Sequence, residues 1–134
     1  MTKKTSVYIT DKIRQLLRLE PYGSRSPSSI VNTVADRYAL LISIGQKKLQ
    51  TIFTDEEFAA MCNACSATDW TPATTLRNGV LINVEDTNEV ELLNVDKKKL
   101  IEKLSVLSPL EQFALVEKIE AYWDKVEKKA KEAK

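Results

Sequence analysis

A chain of 134 residues that is 43% hydrophobic and 29% charged has room for one domain or two small ones, with the balance of an ordinary soluble globular protein. It contains no histidine, so the commonest general base and commonest metal ligand are both missing, and no apolar run approaches the roughly 20 residues that cross a bilayer. The net charge of +1 hides an asymmetry: residues 1–50 carry nine Lys/Arg against three acids, a net +6, which leaves −5 for the remainder.

The first ten residues, MTKKTSVYIT, are basic but lack the apolar core and small-residue cleavage site of a secretory signal, so the expected location is the cytoplasm. Val7 and Ile9 alternate with Ser6, Tyr8 and Thr10, the period of a short half-buried strand. Thr10 followed by Asp11 is a helix start, and Ile13, Leu16 and Leu17 give that helix its apolar stripe. The stretch EPYGSRSPSS reads as a loop. Ser26 then caps a second helix with Pro27 at its first position, and Ile30, Val31, Val34, Ala35, Tyr38, Leu41 and Ile42 follow the 3.6-residue period. Gly45 is a candidate stop, although QKKLQTI is able to carry the helix further.

The remainder reads as helices. Thr54 and Glu57 form a capping box, Thr71–Pro72 is a second start, and Asp96 begins a helix carrying Leu100, Ile101, Leu104 and Leu107. Between them, Gly79 and the β-branched run GVLINV leave helix and strand in competition over 79–84, and Asn83–Val95 is the longest expected loop. Ser108, Pro109 and Glu111 combine a cap, a first-turn proline and a closed box. The last helix places Leu115, Val116, Ile119, Tyr122, Trp123 and Val126 on one side and ends in a solvated Lys/Glu/Ala tail.

The two cysteines, Cys62 and Cys65, lack the further Cys or His ligands that a zinc site needs, so no metal is expected. With Phe58 and Met61 they share the spacing of one helix face, which makes them core residues; a redox CxxC is the competing reading. Neither paired carboxylates nor a glycine-rich loop stands in a catalytic context, so no enzyme and no cofactor is expected.

A lone short strand needs a partner, and a second copy of the chain is able to supply it. KTSVYITDKIRQLL followed by SPSSIVNTVADRYALLI resembles the ribbon-helix-helix family of repressors over about residues 3–44. For residues 1–50 the resemblance implies an intermolecular two-stranded antiparallel ribbon with helices; the capping signals and charge of the remainder add a small acidic all-helical domain over 51–134, so the expected fold is mainly α. The resemblance also implies a homodimer, or a pair of dimers, with Val7, Ile9, Ile30, Val34 and Tyr38 in the dimer core. The ribbon would enter the major groove of double-stranded DNA. Lys4, Ser6 and Tyr8 would then face base edges, while Lys3, Arg25, Ser26, Ser28 and Ser29 would meet phosphates. The expected function is a sequence-specific transcriptional repressor, with 51–134 joining dimers or holding a protein partner. The alternative is a non-enzymatic assembly module of a plasmid or phage maintenance system, in which the ribbon only dimerises.

Overall fold

The computed structural model of the chain describes residues 11, 14, 15, 18, 25–66 and 69–132. Those from residue 25 onward form six helices: α1 (Pro27–Ile52), α2 (Asp55–Ala64), α3 (Pro72–Leu76), α4 (Gly79–Asp86), α5 (Lys97–Ser105) and α6 (Pro109–Glu132). The backbone divides into two compact units, Met1–Leu40 and Leu41–Lys134, so α1 contributes to both.

The fold class read from the sequence is therefore corrected from a ribbon backed by helices to an all-helical one. Among the described residues there is no strand and no sheet. The expected strand residues, with Lys3, Lys4, Ser6, Val7, Tyr8 and Ile9, lie outside the described residues. A five-residue alternation is a weak signal, and one strand has no ladder to join until a second edge is present. Of the helix expected from Asp11 onward, Asp11, Arg14 and Gln15 are described and helical.

In the larger unit, local capping chemistry sets the helix starts. Thr54 Oγ1 accepts from the Glu57 N–H at 3.1 Å while the Thr54 N–H donates to Glu57 Oε1 at 2.9 Å. Ser108 and Glu111 repeat this reciprocity at the start of α6. Asp96 accepts from the Lys99 N–H, and Thr71 and Thr74 close a box at α3. Each such cap is worth about 1 kcal/mol, because it satisfies N–H groups that a helix end leaves without partners.

The contested 79–84 segment is helical. Asn78 adopts the left-handed conformation (φ 60°) and turns the chain from α3 into α4. Gly79 is required there by contact: a Cβ would lie 2.9 Å from both the Thr74 carbonyl oxygen and the Trp70 ring. Gly45, the candidate stop, lies inside α1, where a Cβ would stand 2.6 Å from the Ala114 Cβ of α6. The glycine thus serves close helix approach and leaves α1 uninterrupted.

The core of this unit takes Leu49 from α1, Met61 and Cys62 from α2, Val84 from α4, Leu100 and Leu104 from α5, and Leu115 and Ile119 from α6. Leu92, from the turns after α4, is fully buried among them, and Leu93 and Asn94 at positive φ lead back toward α5. The C-terminal end of α4 is closed from outside, since Lys97 Nζ donates to the carbonyls of Glu85 (2.9 Å) and Thr87 (2.7 Å). A lysine there also complements the negative end of the helix dipole.

Candidate functional site

The described part of the smaller unit places four expected contact residues, Arg25, Ser26, Ser28 and Ser29, at the start of α1. Ser26 Oγ accepts from the Ser29 N–H at 3.2 Å, and its carbonyl accepts from the Ile30 N–H. Helix geometry leaves the Ser28 N–H without an intrahelical partner. Ser28 and Ser29 are exposed, and the first turn carries no acid. Arg25 folds back along the helix and donates from its guanidinium to Thr33 Oγ1 at 3.2 Å, which fixes its charge beside that turn. Upstream, Arg14 and Arg18 line one cleft with Asp11 and Gln15. Outward N–H groups, small hydroxyls and guanidinium charge make a surface receptive to anions.

Among the expected dimer-core residues, Ile30 is fully buried, Val34 half-buried and Tyr38 exposed. Further along α1, Leu40 (61% exposed), Leu41 (47%) and Ile44 (41%) stand at the surface. Leu41 and Ile44 are one turn apart and share a face. Sequence periodicity named Leu41 as a stripe residue but left Leu40 and Ile44 out, because they fall beside the stripe and not on it.

Cys62 and Cys65 are free thiols, both buried in the core of the larger unit. Burial pushes the Cys62 thiol up to about 11, against a lowering from Lys118. Burial likewise pushes Cys65 up to about 12, opposed by a contact from Asn83 Nδ2 and assisted by Cys62. Such thiols are poor nucleophiles at neutral pH. The native protein is therefore expected to react with Ellman's reagent only at the rate of unfolding, which a comparison of labelling with denaturant-jump kinetics will check. Labelling in mixing time would contradict this placement.

Two arrangements in the larger unit join residues far apart in sequence. Glu57, 7% exposed, pairs with Lys103 of α5 at 2.6 Å. Burial raises its carboxyl, but bonds from Lys103 and from the Thr54 backbone outweigh this and hold it below its ordinary value. The second is an open cleft of about 230 Å³ lined by Cys65, Ser66, Asp69, Trp70, Ile119, Glu120, Trp123 and Asp124. Of these, Trp70 stood out in the sequence as a helix staple, and Cys65, Ile119 and Trp123 as core residues. The i, i+4 spacing of Glu120 and Asp124 around Trp123 was the available signal on the α6 side. No described helix is long and apolar enough to cross a membrane, and no group of three or more acidic or thiol side chains suited to a metal occurs among the described residues.

No family model, curated protein or solved structure compared with the chain matches it.

Proposed function

We propose that the chain is a non-enzymatic DNA-binding regulator, a repressor in its mode of action, that works as a homodimer. The observation that carries this reading is the start of α1, where an acid-free first turn presents Ser28 and Ser29 beside the fixed guanidinium of Arg25. This lies within the 50 residues whose net charge is +6, and Lys3 and Lys4 add to the same field. Phosphate contacts supply most of the affinity of such a surface and make it salt-dependent. The dimer is supported by Leu41 and Ile44, which a lone helix leaves in water at a cost of about 25 cal/mol per Å².

The same exposed pair favours a second reading, in which the chain is an assembly module that associates without DNA. Sedimentation and DNA titration of two variants separate the two. Leu41→Glu/Ile44→Glu is expected to sediment as a monomer where the wild type is a dimer. Arg25→Ala is expected to remain a dimer, bind all duplexes more weakly, and lose about two units of salt slope, one from each protomer. A dimer indifferent to DNA selects the assembly module; a monomeric wild type refutes both.

A further inference from the structure

We infer that the cleft between α6 and the Asp69–Trp70 segment is a binding site for an arginine side chain presented by a partner polypeptide. Its lining combines two indoles, Trp70 and Trp123, with three carboxylates, Asp69, Glu120 and Asp124. A guanidinium is the group that uses both at once, because it is planar enough to stack on indole and its forked donors match carboxylates. An ammonium ion would meet the charge and the indole faces but lacks the planar stacking and the forked donors, and a neutral aromatic would use the walls but leave three carboxylates uncompensated.

The walls are held in place before any ligand arrives. Trp123 Nε1 donates to the Cys62 carbonyl at 3.0 Å, which fixes the plane of its indole. Trp70 is backed by Gly79, whose missing side chain makes room for the ring. The Asp69 carbonyl accepts from Thr74 Oγ1 at 3.3 Å, and the Thr71–Thr74 box holds the segment that follows. Rigid aromatic surfaces lower the entropic cost of capture.

Charge in the cleft is one-sided. Among the described residues none of Asp69, Glu120 and Asp124 forms an ion pair. Glu120 feels the crowding: burial raises its carboxyl, and Glu117, Asp124 and Asp69 raise it further. A bound cation would relieve that repulsion. The α-ammonium and α-carboxylate of free arginine largely offset one another near the three acids, so the guanidinium is the group that the cleft selects.

The chain has two tryptophans, and both line this cleft, so its entire tryptophan emission reports on the site. Titrating the full chain with N-acetyl-arginine amide is expected to give a saturable change in emission. N-acetyl-citrulline amide, its neutral isostere, is expected to bind at least about tenfold more weakly, a difference of about 1.4 kcal/mol. N-acetyl-lysine amide should also fall below the arginine amide. Glu120→Gln/Asp124→Asn should weaken the arginine probe while leaving the helical circular dichroism unchanged and the unfolding midpoint no lower, since both residues are exposed and the change relieves their mutual repulsion. Linear quenching without saturation, equal binding of arginine and citrulline amides, lysine binding as tightly as arginine, or an unaffected double variant would each overturn the assignment.

Discussion

Replacing Gly45 with leucine is expected to destabilise the protein by about 3 kcal/mol, read as a lower urea midpoint at unchanged slope. The expectation runs against helix propensity, since a glycine inside an exposed helix costs about 1 kcal/mol relative to other residues. Packing decides the sign. A Cβ at position 45 would lie 2.6 Å from the Ala114 Cβ and 3.4 Å from the Leu110 carbonyl oxygen. Those atoms belong to the backbone and first carbon of α6, so relief requires the helices to separate and not merely a side chain to turn. Gly45→Ala tests the same contact more finely: it should cost about 1 kcal/mol, and Ala114→Gly in the same chain should recover part of that loss by clearing the opposing carbon. A stabilising Gly45→Ala would show that α1 and α6 do not approach in this way.

The second large effect belongs to Lys103. Lys103→Met leaves the Glu57 carboxylate 7% exposed and without its cation. Removing one partner of a buried pair costs about 3–5 kcal/mol; because the lysine is itself 35% exposed, we expect about 2 kcal/mol at pH 7. The pH dependence gives the mechanism. Burial alone raises the Glu57 carboxyl, and the bonds from Lys103 and Thr54 bring it below its ordinary value. A carboxyl depressed in the folded state stabilises above its unfolded pKa, near about 4.3, and that contribution disappears as pH falls through the folded value. In the variant the lowering from Lys103 is gone while burial and the Thr54 bonds remain, so its carboxyl stands higher than in the wild type and protonation costs its folded form less. The gap between wild type and Lys103→Met should therefore be widest near neutrality and narrow as pH drops below about 4. A gap of constant width from neutrality to acid would assign the loss to packing of the lysine stem.

How much of this was legible in the sequence follows the range of each interaction. The boxes at Thr54–Glu57 and Ser108–Glu111, and the starts at Thr71 and Asp96, are complete within four residues, so spacing alone located them. Glu57 is the instructive residue: its role as cap was legible, whereas its partner Lys103 lies 46 positions away and became visible only in three dimensions. Gly45 looked like a stop because sequence carries no record of the helix that would pack on it. The 79–84 segment looked divided because β-branched residues favour strands, and tertiary packing together with the left-handed turn at Asn78 overrode that preference. The ribbon failed as a fold class because it drew on a partner outside the chain. Of the candidate contact surface, Arg25, Ser26, Ser28 and Ser29 were legible as a cap and its neighbours. The Trp70–Trp123 cleft was not, since its two walls come from segments some fifty residues apart.

The central claim is that this chain binds DNA through phosphate contacts made by its basic N-terminal third. The direct measurement is the affinity of the wild-type chain for duplex DNA, including DNA from upstream of its own coding sequence, across a salt series. With four phosphates neutralised, by Lys3 and Arg25 of each protomer in the dimer, affinity should fall about 100-fold between about 50 and 200 mM salt, and the upstream duplex should bind more tightly than a scrambled one throughout. Absence of binding at the lowest salt, or equal affinity for every duplex, would contradict the account.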